Sequence, residues 1–124
     1  MKKVPRSLQT WFKIHFLADM LFGLPLLFAP LWTLELFGLS AGASVTARLV
    51  GAALIGIGGN SLLMNKKSIH HYKAMLDLKV LWSGAAIIAL SLELYHSPSP
   101  QIWAIWGIFI GFSLVWNVYR ARLR

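Results

Sequence analysis

The chain has 124 residues, of which 57% are hydrophobic and only 13% charged, with a formal charge of +8. That length suits one domain, and so little charge excludes a soluble globule, which must face water with polar groups. The absence of Cys excludes disulfides, thiolate nucleophiles and Cys-based metal sites and leaves the redox compartment open.

The positive charge does not read as a nucleic-acid surface, because of where it sits. Every cation except Arg48 falls in one of three clusters: Lys2, Lys3, Arg6 and Lys13; Lys66, Lys67, Lys73 and Lys79; Arg120, Arg122 and Arg124. The clusters alternate with apolar segments, which is the positive-inside pattern of a membrane protein rather than a basic groove. The Met-Lys-Lys start and Ala41-Gly42-Ala43 resemble a signal peptide and its cleavage site. The segment between them is too long and carries His15 and Asp19, so no cleavage is expected.

In chain order, a short basic tail leads to Ser7, a candidate helix cap. The first span is predicted at 11–29. Pro25 lacks an amide donor and should kink it near Phe22, and Pro30 should end it. In the connection 31–44, Leu31, Leu34 and Phe37 recur every third residue around Trp32 and Glu35, predicting a short interfacial helix broken by Gly38 and Gly42. The second span, 45–64, is rich in small residues: Ala47 with Gly51, Ala52 with Gly56, then Gly58 and Gly59. Such spacing lets helix backbones approach in lipid, where packing replaces the hydrophobic effect as the associating force.

A basic hairpin, 65–72, precedes the third span at 73–95. Its uncharged centre, Val80 to Leu92, is short, so the helix must take in Asp77 and Lys79, with Lys79 snorkelling to the surface. A Pro-rich turn at 96–101 carries no cation. The fourth span, 102–119, is uncharged from Ile102 to Tyr119, about 27 Å as a helix, close to the hydrocarbon thickness of a bilayer. Gly107 and Gly111 form a GxxxG pair on it, a weak dimerisation signal alone. The fold expected is all-α: a polytopic antiparallel bundle of four transmembrane helices in the cell inner (plasma) membrane. Both termini and the basic hairpin face the cytoplasm. Aromatic residues agree, with Trp11, Tyr72, Trp116 and Tyr119 at inner ends and Trp32, Tyr95 and Trp103 at outer ends.

Polar groups inside spans are costly and are the first place to look for function. An inner layer holds His15, Asp19, Asn60, Asp77 and Asn117. His15 and Asp19 share a helical face, and Lys73 stands at i,i+4 from Asp77. Spans one and three each carry an Asp and spans two and four an Asn. That is a faint repeat of two-helix units about an axis along the membrane normal. Two readings stay open: a polar pocket binding a cation or proton, or groups bonding one another or meeting headgroups and water. An outer layer holds Glu35, Arg48, Glu93 and His96. As the lone cation on that side, Arg48 should be clamped by Glu93 or Glu35, or else take an anion or lipid headgroup. His70 and His71 point about 100° apart on a helix and are not expected to hold a metal. No catalytic motif occurs, and Ser61, Ser83, Ser91 and Ser113 read as packing or backbone-bonding hydroxyls.

The run from Phe22 to Pro30, then Leu36-Phe37-Gly38-Leu39 and the stretch from Ala47 to Ala53, resembles small bacterial four-helix membrane proteins grouped with DoxX-like proteins. The resemblance covers about residues 15 to 64 and implies fold and membrane location; it carries no catalytic residue. The four-span size is similar also to small multidrug-resistance transporters, which have a membrane-embedded Glu in the first helix where this chain has Asp19 in another motif context. The function expected is an integral membrane binding or accessory protein. It would associate with other membrane subunits or a second copy, or hold a lipid-like molecule between helices, with no cofactor; Gly51, Gly56, Gly107 and Gly111 are candidate helix-packing glycines, on span two within the chain first and between subunits second. The alternatives are a proton- or cation-coupled transporter using Asp19 and Asp77, and an intramembrane lipid-modifying enzyme.

Overall fold

The structure, a computed structural model, describes residues 3–40, 42 and 44–124. Met1, Lys2, Ala41 and Ala43 lie outside the described residues, and with them part of the basic tail and of the Ala41-Gly42-Ala43 stretch. The described chain is helical throughout its regular structure: α1 (Arg6–Phe28), α2 (Pro30–Leu36), α3 (Ser44–Leu63), α4 (Ile69–His96) and α5 (Pro100–Arg122). Four of these, all but α2, are long and apolar enough to cross a membrane. The protein is a multi-pass membrane protein.

Helix ends follow local chemistry. Pro5, not Ser7, caps α1; it accepts from the Gln9 amide and leaves Ser7 inside the first turn. The helix runs on through Pro25, and the Ala29 amide still reaches the Pro25 carbonyl at 2.8 Å. It stops at Ala29 because Pro30 follows, and the residue before a proline is pushed out of the helical region. Pro30 then opens α2, where its missing donor costs nothing. Gly38 ends α2 at φ 70°: its amide bonds the Glu35 carbonyl and that of Leu39 the Leu34 carbonyl, a Schellman closure that needs a left-handed residue. Phe37 reaches back to Phe22, with ring centroids 5.7 Å apart.

The predicted hairpin at 65–72 is shorter than expected. Lys66 turns in the left-handed region at φ 65°, and α4 already starts at Ile69, so His70 and His71 are helical. The connection predicted at 96–101 likewise shrinks to Ser97–Ser99. Ser99 accepts from the Ile102 amide and Pro100 takes the first helical position.

The helices form two compact units, Val4–Lys67 and Ser68–Arg124. In the first, α1 and α3 run antiparallel. A Cβ on Gly51 would meet the Gly23 carbonyl at 2.7 Å and the Leu27 amide at 2.8 Å; one on Gly58 would meet the Asp19 Cβ at 2.6 Å. Contacts between 23 and 51, then 19 and 58, fix that direction. The buried residues of α3 are Ala47, Gly51, Leu54, Gly58 and Ser61, alternating steps of four and three. Those of α1 are Leu8, Phe12, His15, Asp19, Gly23 and Leu26, on nearly the same period. In the second unit, α4 and α5 also run antiparallel, since Asp77 meets Arg120 and Ser91 meets Trp106.

The exterior is as telling as the contacts. Leu17, Leu21, Phe28, Leu49, Leu63, Leu81, Ile88 and Leu114 are exposed, while His15, Asp19, Ser61, Lys79 and Ser83 are buried. Large apolar groups on the outside, with several polar ones enclosed beside an apolar core that includes Leu8, Phe12, Leu76 and Trp116, suit lipid as the solvent.

One sequence expectation changes. Lys79 does not snorkel: it is fully buried, its Nζ 4.8 Å from the centroid of the Trp116 ring. Tyr72, Trp116 and Tyr119 are buried with it, whereas Trp32, Tyr95 and Trp103 are exposed.

Candidate functional site

The first helix pair holds a buried polar group on a close-packed seam. His15 and Asp19 lie one turn apart on the buried face of α1, with His15 Nδ1 3.4 Å from Asp19 Oδ2, and both are 5% exposed. Gly58 makes room for Asp19, because any side chain there would collide with its Cβ and carboxylate. Asn60 is half-buried two residues further along α3. The serines behave as backbone-bonding groups. Ser61 Oγ donates to the Ile57 carbonyl and, in the second unit, Ser83 Oγ to that of Val80.

The second helix pair distributes its polar groups differently. Asp77 is exposed and accepts from Arg120 Nε of α5 at 2.5 Å; the partner is not Lys73 of its own helix. Asn117, also exposed, turns back on α5 and donates to the Ser113 carbonyl at 2.8 Å. Asp77 and Asn117 are therefore each engaged elsewhere. Higher in the pair, Trp106 Nε1 donates to Ser91 Oγ at 3.0 Å, tying α5 to α4.

A cleft opens at the Arg120 end of this pair. It encloses about 200 Å³ and is lined by Lys73, Leu76 and Asp77 of α4 and by Arg120, Leu123 and Arg124 at the end of α5. Lys73 and Asp77 are one turn apart on α4; Arg120 stands in the last turn of α5, Leu123 caps that helix and Arg124 follows it, whereas Arg122 falls on the other side of the helix from Arg120. Helix α4 has 28 residues, about 42 Å, more than a hydrocarbon core of roughly 30 Å, and Lys73 and Asp77 of the cleft fall in its first third.

Comparison with family models, with characterised proteins and with solved structures finds no match. The site must be read from its own chemistry.

In the first unit, Glu35 and Arg48 are both exposed and, among the described residues, form no ion pair with each other. Glu93 and His96 are exposed on α4, His96 Nδ1 lying 2.9 Å from the Leu92 carbonyl. His71 Nδ1 shares a hydrogen bond with Ser68 Oγ at 2.8 Å, and among the described residues no group of three His, Asp or Glu is placed to hold a metal. The glycines also divide. Gly51 packs against α1, whereas a Cβ on Gly56, Gly107 or Gly111 would meet open space.

Sequence reading missed Gly23 as the backbone opposite Gly51, and it missed the cleft. The signal for Gly23 was its place one turn after Asp19. For the cleft it was the i,i+4 spacing of Lys73 with Asp77 and of Arg120 with Arg124.

Proposed function

We propose that the protein is an integral membrane binding protein of the cell inner membrane, with both termini cytoplasmic, that holds a lipid-like molecule at the cytoplasmic end of the α4–α5 pair. One observation carries this reading: the cleft lined by Lys73, Leu76, Asp77, Arg120, Leu123 and Arg124 joins apolar to charged side chains. An amphiphile presents the same change of polarity. The orientation is supported by the clustered cations, which retain a segment on the cytoplasmic side. The test is native mass spectrometry of the full chain released from a mild detergent. Retention of one lipid mass per chain is expected; a chain that always emerges bare would overturn the reading. Association with a second copy or another membrane subunit belongs to the same proposal, and the open face carrying Gly107 and Gly111 is where such a helix would pack. Cross-linking from that face in native membranes tests it.

A second reading rests on a separate observation, the buried His15–Asp19 pair inside a span. An ionisable pair at that depth suits proton or cation coupling. Asp77 has no part in this version, being exposed and bonded to Arg120. Proton-coupled flux in liposomes should vanish in Asp19→Asn; flux equal to that of the unmodified chain would remove the coupling role.

A further inference from the structure

We infer that the cleft between the first turns of α4 and the last turn of α5 is an oxyanion site that takes a phosphate group, with the Arg120 guanidinium as its principal donor. The inference rests on the lipid-binding reading of this cleft and goes beyond it by naming the chemistry of the group that is held.

Charge sets the sign of the ligand. Lys73, Arg120 and Arg124 face a single carboxylate, Asp77, so the lining is net positive. The carboxylate already accepts from Arg120 Nε, which leaves the cleft without the oxygen ligands a metal cation needs. An anion is the complementary guest.

Geometry selects the kind of anion. A guanidinium has five N–H donors in a planar fork. Asp77 occupies the one at Nε, and among the described residues the Arg120 guanidinium makes no other hydrogen bond. Its two Nη groups therefore keep four donors, enough for two oxygens of one tetrahedral or planar group. Lys73 and Arg124 form no ion pair among the described residues, so their charges too remain for the guest. Asp77 anchors the guanidinium, which cuts the freedom Arg120 would otherwise lose on binding.

Depth and size point to phosphate carried on an amphiphile. The uncharged run of α5 ends at Tyr119, and Arg120 is the next residue, so the donors lie level with lipid phosphates. Fully buried Leu76 and half-buried Leu123 supply apolar contact beside them. The volume of about 200 Å³ is below the range of roughly 300–1,000 Å³ for drug-sized ligands, which fits a headgroup rather than a whole molecule. Free phosphate shares the chemistry without the chain, and the test separates the two sources.

The control is built into the helix. Arg122 carries the same charge in the same turn as Arg120 and Arg124 but does not line the cleft. A diffuse basic belt would use all three equally. The test titrates the full chain, in nonionic detergent, with phosphatidic acid, phosphatidylglycerol, diacylglycerol or inorganic phosphate, and reads bound mass. The two phosphate lipids are expected to bind and diacylglycerol to fail. Arg120→Gln should weaken retention by about tenfold or more, Arg120→Lys by less, and Arg122→Gln by under about twofold. Arg124→Gln, at an exposed position that folding does not need, should weaken it as well. Circular dichroism and gel filtration confirm that each variant is folded. Displacement of bound lipid by millimolar phosphate in the unmodified chain, absent in Arg120→Gln, also supports the site and assigns free phosphate as a source. Equal losses in Arg120→Gln and Arg122→Gln overturn the inference. Diacylglycerol held as well as phosphatidic acid overturns it while leaving the lipid-binding reading standing. Failure to hold any of the four probes overturns both.

Discussion

The two helix pairs solve one problem in two ways. In α1–α3 the backbones nearly touch where Gly23 faces Gly51, and Gly58 seats the Asp19 side chain. In α4–α5 the glycines Gly84, Gly107 and Gly111 border open space, and the helices are joined through longer side chains. Trp106 bonds Ser91, the ring of Trp116 lies under the Lys79 ammonium, and Arg120 holds Asp77. Lipid offers no hydrophobic force between helices, so association must come from close packing or from polar contacts. The first pair uses packing and encloses its His15–Asp19 pair. The second uses polar contacts and leaves its end open. That difference explains why the cleft lies in the second pair, and why the aspartates at matching places in the chain differ, one buried and one exposed.

The sharpest way to break this comparison is to change both aspartates. Asp19 is buried 3.4 Å from His15 Nδ1 and seated on Gly58, so Asp19→Ala, which empties that close-packed site, should cost about 2–4 kcal/mol of unfolding free energy. Asp77 belongs to an exposed pair, its side chain 56% accessible, and Asp77→Ala should cost no more than about 1 kcal/mol. Unfolding in a dodecyl maltoside–SDS titration measures both, and equal costs would mean that the pairs do not differ as described. Next in size is Gly51→Ala. The added methyl would meet backbone atoms, which cannot rotate away, so α1 and α3 must separate, at about 1–3 kcal/mol. The same titration should show it, and a neutral result would place the seam elsewhere.

Much of this was legible in the sequence and some was not, for physical reasons. Helix number and approximate spans followed from uncharged run length, because a membrane imposes a fixed thickness. The face each helix buries did not follow. In a span that is apolar all round, periodicity carries no signal, and only small or polar residues mark the seam. Gly51 and Ala47 were found that way; Ala52 and Gly56, equally spaced, point outward. Asp19 read as deep and is buried, whereas Asp77 found its partner on the next helix, at Arg120, which no spacing within α4 reveals. Lys79 was misread because its long stem can reach an interface, but the ring of Trp116 lies within reach inside the pair.

The smaller effects sharpen the comparison from the side of the open pair. Ser91→Ala removes the acceptor of the Trp106 indole, and interhelical hydrogen bonds in membranes average about 0.6 kcal/mol. A loss near that size, with slower α4–α5 cross-linking between cysteines introduced at the end of the pair near Ser97, would confirm that side chains carry this contact.

Gly107→Ala should do least of all. Nothing lies within 4 Å of the added methyl, so within one chain no group must move, and the change in unfolding free energy should stay within about 0.5 kcal/mol. The contrast with Gly51→Ala is the point: the same atom added to the same residue type, costly where backbones meet and neutral where the helix faces outward. A large loss at Gly107, appearing only as protein concentration rises, would show that the outward face is covered by a second copy. A large loss independent of concentration would show that the open face of α5 is packed within the chain, and the distinction between the two pairs would fail.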